Sequence, residues 1–195
     1  MSGCKDLLPP PRRPLFDEIL GADFERLPST VKQFHTIGQR HHWSGEAEVR
    51  RGGSLIAALV CRVFGFPPTA TRIPVTVKIE ENGSVETWHR RFGQRTFVST
   101  LTVKGVPGSG VLRERFGAFS FDIELSVKGR ELCFPVIRGR FLGIPLPGWL
   151  LPTSDTRETE EDGHFVFDVA LSLLTVGPLV HYRGWLQPIS ATTQS

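Results

Sequence analysis

Two charged residues stand where the surrounding pattern demands apolar ones. Trp88, Arg90 and Phe92 recur at every second position of Val85–Phe92, as do Leu112, Glu114 and Phe116 in Val111–Phe116. Such alternation puts each trio on one face of a strand. If the aromatic faces point inward, Arg90 and Glu114 go with them, and a buried charge must be paired. The two are expected to contact each other or a shared ligand. One use is a structural ion pair. Another is a polar anchor in an apolar pocket, where a few polar groups orient a ligand. A third is catalysis, with Glu114 as acid/base and Arg90 or Tyr182 stabilising developing negative charge. Burial raises a carboxyl pKa towards neutrality, but an Arg partner pushes it down again. That conflict ranks binding above catalysis.

Other candidates are weaker. In Leu179–Leu186, alternation puts Val180, Tyr182 and Leu186 on one face and His181, Arg183 and Trp185 on the other. His181 is tied to no Ser, Cys or Asp by a motif. His41-His42 have no third ligand nearby, so no metal site is expected. Arg-rich pairs recur, but Glu46, Glu48, Glu114, Glu124 and the acidic stretch 158–162 interleave with them. No helix concentrates the basic charge, so nucleic-acid binding is not expected. The segment 142–152 (LGIPLPGWLLP) is apolar yet holds three Pro, which excludes a helix or central strand. Packed cover over the core is its first expectation. A portal lip or a tip touching a membrane, built from Ile144, Leu146, Trp149 and Leu150 with Trp149 as anchor, is the second.

The elements that position these residues are legible from periodicity. Pro14–Gly21 reads as a short helix ended by Gly. Asp23 can cap a second helix carrying Phe24, Leu27, Val31 and Phe34, and Gly45–Arg51 reads as a short strand. Ser54 can cap a third helix, Leu55 to Phe64, whose apolar residues cover more than half its circumference. That helix is expected to be well buried. After Pro68 the period changes to 2, and Asn82-Gly83 marks a hairpin whose turn positions need positive φ. Later strands are separated by short turns. Phe119, Phe121, Ile123, Leu125 and Val127 share a core face in one, with Asp122 on the water side; Phe165, Phe167, Val169 and Leu171 repeat the pattern. Short links between successive strands predict an antiparallel meander of about ten strands. A sheet that long curls into a barrel or half-barrel, lipocalin-like or similar, with the N-terminal helices capping one end. The class is α+β, mostly β. The organisation expected is a flexible Pro-rich start (1–14), one domain (15–188) and a flexible tail (189–195).

Composition agrees. The chain has 195 residues, of which 39% are apolar and 22% charged, enough for a real core. Its net charge of +3 hides 18 Arg against 5 Lys. The three Cys are widely spaced with no CxxC pair, so neither a zinc ribbon nor a disulfide scaffold is expected. No run approaches the ~20 apolar residues of a transmembrane helix, and the first residues lack a signal-peptide core. A cytoplasmic protein without a cofactor is the expectation.

The motifs Trp88–Phe92 (WHRRF), Phe97 with Ser99, Glu114–Gly117 (ERFG), Leu142–Pro147 (LGIPLP), Glu158 with Asp162-Gly163, and His181–Leu186 (HYRGWL) follow the start Leu15–Gly21 (LFDEILG). In this order they resemble the bacterial domain of unknown function 4166, over about Leu15 to Pro188. Members of that family also occur as the C-terminal part of longer chains, some with a saccharopine-dehydrogenase-like domain. The resemblance implies a single bacterial domain and carries over no catalytic residue. The function expected is binding of an apolar or amphipathic, lipid-like small molecule inside the curled sheet. Trp88, Phe119, Phe121, Phe167 and Tyr182 would be its walls, and Arg90 with Glu114 its polar anchor. An enzyme using the same Glu/Arg/Tyr site, or an accessory protein-interaction domain, is the alternative. Oligomeric state is not legible.

Overall fold

The computed structural model describes residues 13–36 and 41–189. The ends of the expected flexible start and tail lie outside the described residues. Three helices and thirteen strands follow in order: α1 (Leu15–Leu20), a 3₁₀ turn (Gly21–Arg26), α2 (Ser29–His35), β1 (His41–Arg51), α3 (Leu55–Val63), β2 (Ala70–Asn82), β3 (Val85–Phe92), β4 (Arg95–Val103), β5 (Val111–Phe116), β6 (Phe119–Glu124), β7 (Ser126–Lys128), β8 (Glu131–Cys133), β9 (Val136–Phe141), β10 (Ile144–Pro145), β11 (Thr153–Glu161), β12 (His164–Leu173) and β13 (Gly177–Pro188).

All strand pairs are antiparallel, in the order β10-β9-β6-β5-β4-β3-β2-β1-β13-β12-β11-β8-β7. The meander expected from the short turns is present, with more strands than expected. The sheet is not closed by hydrogen bonds and forms a half-barrel. Its two ends belong to one hairpin. The strand β6–β7 runs through Leu125, and its partner β8–β9 runs through Phe134-Pro135. One half of this hairpin joins β5, and the other half joins β11. The single strand expected over 118–127 is therefore divided at Leu125, whose N–H turns to the Gly110 carbonyl at 2.7 Å.

The first helices plug one end of the curl. Phe16, Ile19, Phe24, Val31 and Phe34 are buried there, and Phe34 stacks on Phe165 with ring centroids 4.0 Å apart. The single helix expected from Asp23 onward is broken at Leu27, whose ψ of 150° is extended. The residue before a proline avoids the helical region, so Pro28 restarts the helix. Pro28 has no capping side chain, and Glu160 of β11 supplies the cap instead. Its Oε2 accepts from Ser29 Oγ, Thr30 N and Thr30 Oγ1, each at 3.0 Å.

The other end carries α3 and the segment 142–152. The Ser54 cap is as expected, accepting from Ala57 N at 3.0 Å. The expected burial of α3 is not found. Ala57 and Cys61 are buried, while Leu55, Ile56, Leu59 and Val63 are exposed. The helix lies across the rim of the sheet against β13 and β1, so only one narrow side meets a core. The segment 142–152 is likewise mostly exposed rather than packed cover. The β2–β3 turn also differs by one residue: Asn82 pairs with Val85, and Gly83, at φ +60°, is the first turn position. Positive φ at the first position alone is the II′ pattern, which needs Gly there.

Candidate functional site

Strand register brings the inward charges together. Arg90 pairs with Phe97, Trp88 with Ser99, and Leu101 with Glu114. Arg90, Ser99 and Glu114 are thus diagonal neighbours across three strands, within reach of long side chains. Ser99 Oγ donates to Glu114 Oε1 at 2.6 Å and accepts from Arg90 Nη1 at 2.7 Å. Arg90 Nη2 donates to the same Glu114 oxygen at 3.1 Å. The guanidinium lies over the Trp88 ring, 4.6 Å from its centroid, a cation–π arrangement. The contact expected between Arg90 and Glu114 is therefore present. Ser99, the hydroxyl that relays it, stands in the sequence pattern only as a motif residue beside Phe97.

Arg90 and Glu114 line a cavity of about 460 Å³ inside the curl. Trp88, Phe119, Phe121, Phe167 and Tyr182 line it as well. Its walls are largely apolar, and Phe167 reaches its place because β13 offers Gly184 opposite, where a Cβ would come within 2.7 Å of the ring. Tyr182 is buried, and its hydroxyl has no hydrogen-bond partner among the described residues. Burial pushes that hydroxyl above its ordinary range; Arg90 pulls it down, while Glu114 and Glu158 push it further up. It is therefore a neutral donor at any physiological pH.

A second polar wall has no counterpart in the hydrophobic pattern. Ser154, Thr156 and Glu158 of β11 line the same cavity. Glu158 also reaches behind the wall to His35 of α2, with Oε2 2.6 Å from Nε2. Strand β11 carries no alternating apolar residues, so its inward face was invisible. At the plugged end Glu86 is buried and accepts from Trp88 Nε1 at 2.9 Å. Its carboxyl is pushed up to about 7, chiefly by burial, against the Trp88 N–H and the Leu15 backbone N–H; the Glu81 charge adds to the rise.

Of the 142–152 segment, Leu146 and Leu150 line the cavity, alongside Leu59 and Val63 of α3. Ile144 and Trp149 point to solvent instead. His181 is on the outer face, paired with Asp168 at 2.8 Å. Asp122 is on the outer face, yet it is buried rather than water-facing, because Arg113 and Arg140 cover it at 2.7 and 3.1 Å. Cys61 and Cys133 are free and buried. Among the described residues no group of three His, Cys, Asp or Glu is placed for a metal, and no helix is long and apolar enough to cross a membrane.

Fold and site together define a helix-plugged antiparallel half-barrel with an apolar interior and a small inward polar cluster. The chain belongs to the DUF4166 family, a domain of unknown function whose profile matches residues 27–186. No curated protein matches it. Among solved structures, one described as a putative thioesterase II from Thermobifida fusca YX is similar at 13% identity, covering 76% of this chain and 79% of that one, with a TM-score of 0.22. At that score the likeness carries no argument about fold or activity.

Proposed function

We propose that the chain binds an apolar or amphipathic small molecule inside the half-barrel. The observation that carries this reading is the cavity of about 460 Å³, apolar-walled with few convergent polar groups. Ligand pockets run to about 300–1,000 Å³ with the same make-up. Arg90 and Tyr182 offer donors to a ligand headgroup, and Glu114 and Glu158 offer acceptors. The aromatic walls take its apolar part.

Acid/base catalysis by Glu114 is the weaker use of the same residues. It would need the carboxyl close to Tyr182 or His181 and away from Arg90. Glu114 is held by Arg90 and Ser99 instead, and His181 is outside. The test is native mass spectrometry and solvent extraction of the purified chain. A bound lipid-like species, or saturable uptake of a fluorescent fatty-acid probe, is the expected result. A chain that is empty and takes up no such probe would defeat the reading.

A further inference from the structure

Charge is divided between the two ends of the half-barrel. The cavity-mouth end is formed by residues 50–72, 91–96, 115–119, 138–153 and 171–179, whose charged residues are all Arg, with no Asp, Glu or Lys. Arg62, Arg95, Arg115 and Arg138 are exposed there and have no acidic partner among the described residues. Acidic residues gather at the plugged end, as in the turns holding Glu80, Glu81, Glu161 and Asp162. A chain of net charge only +3 thus presents one strongly basic end.

The same end carries the large exposed apolar residues. On α3, Leu55 is 90% exposed, Leu59 60% and Val63 61%; on the neighbouring segment, Trp149 is 54% and Ile144 69% exposed. Leu59, Val63 and Leu150 also line the cavity, so the exposed patch runs without a break into the apolar interior.

We propose that this end docks on an anionic lipid bilayer, with α3 and Trp149 seated in the interface and the arginines against the headgroups. Arg50, Arg72 and Arg140 at this end are ion-paired with Glu48, Glu46 and Asp122, but an apolar patch ringed by Arg62, Arg95, Arg115 and Arg138 is complementary to such a surface. A second copy of the chain would bring one unbalanced basic surface against another, which disfavours it as the occupant. Docked in this way, the cavity mouth faces the acyl chains, and an apolar ligand could pass without crossing water. The docking goes beyond the binding reading and does not depend on it.

The experiment is co-sedimentation of the full chain with vesicles of phosphatidylcholine alone, or of phosphatidylcholine mixed with phosphatidylserine, with Trp149 fluorescence as a second readout. The expected result is binding to the mixed vesicles, weak binding to the neutral ones, loss at high salt, and a blue shift absent from Trp149→Phe. Leu59→Glu, and separately the pair Arg62→Glu with Arg95→Glu, should each lower the partition coefficient at least about tenfold. These side chains are exposed, and circular dichroism checks that the variants fold. Failure to bind the mixed vesicles, or binding unchanged in both variants, overturns the proposal. So does a stable dimer in size-exclusion chromatography that Leu59→Glu dissociates. Val169→Phe, which narrows the cavity, should still bind vesicles. A chain that holds ligand but ignores vesicles defeats docking alone; one that binds vesicles but takes up no ligand defeats the cavity reading alone.

Discussion

Nε2 of His35 lies 2.6 Å from Oε2 of Glu158, joining residues 123 positions apart in the sequence. His35 is wholly buried, with its ring 3.7 Å from that of Phe16. Among the described residues its Nδ1 has no partner. A tautomer with the proton on Nε2 therefore fits best, because it leaves a lone pair unmatched rather than an N–H. The contact fastens the plug helix α2 to the cavity wall β11.

Breaking it should loosen the plug. His35→Ala or Glu158→Ala should each cost about 1–3 kcal/mol in chemical denaturation. The double variant should cost less than the sum of the two, leaving a coupling of about 1 kcal/mol or more. Additive losses would mean that the pair is a neighbourly contact without energetic weight.

Arg90 and Glu114 should behave as a unit. Arg90→Met leaves the Glu114 carboxylate without its charge partner, held only by the Ser99 hydroxyl, and should destabilise by about 3–5 kcal/mol, whereas Arg90→Met with Glu114→Met should recover most of the loss. The recovered double variant then separates stability from binding. Its uptake of an amphipathic probe should fall at least about tenfold relative to a purely apolar probe, measured by fluorescence titration. Equal uptake of both probes would make the cluster purely structural.

Filling the cavity should abolish binding without unfolding the chain. Val169 lines the cavity and pairs with Tyr182 on β13. Val169→Phe extends into open space, so it should cost less than the roughly 1–3 kcal/mol typical of overpacking. Thermal denaturation and probe uptake measured together check this expectation. Unfolding of the variant would show that the space is not there.

Glu86 makes stability depend on pH. Its carboxyl is raised from 4.5 to about 7 in the fold, so the folded state holds the proton more tightly than the unfolded one. Its contribution is complete below about pH 4.5, fades as pH rises, and is gone above about pH 7. Glu86→Gln keeps an acceptor for Trp88 Nε1 and carries no charge. It should stabilise the chain by roughly 2–4 kcal/mol at about pH 8 and leave it nearly unchanged near pH 4. Urea titrations of both proteins across that range are the measurement.

Asp122 should act in the opposite sense. Burial opposes its ionisation, but hydrogen bonds from Arg113 and Arg140, together with their charges, outweigh it and hold the carboxyl below its ordinary value. The stability it lends is present above that ordinary value and lost as pH falls through the lowered one. Asp122→Asn should destabilise by about 1–3 kcal/mol at neutral pH, with the gap closing in acid. A constant gap would assign the effect to shape alone.

Much of this molecule follows from local periods. Alternation along 85–92 and 111–116 placed Arg90 and Glu114 inward. Ala70–Asn82, Phe165–Leu171 and Val180–Leu186 follow the same period, which depends only on each residue's immediate neighbours. Short turns made the sheet a meander for a similarly local reason. The Phe-rich inner face and Tyr182 were therefore legible before any coordinate.

What local periods could not carry was decided by the tertiary structure. The apolar residues of α3 indicated burial, but whether a partner surface exists depends on where the helix lands, and it lands on the rim. His35 and Glu158 lie on separate elements, and β11 has no hydrophobic rhythm to show which side faces in. The hairpin 119–141 serves both ends of the sheet only because the curl brings those ends within one hairpin's width. The cavity itself is the difference between the volume enclosed and the volume filled. That difference depends on side chains from strands distant in sequence, so no stretch of sequence contains it.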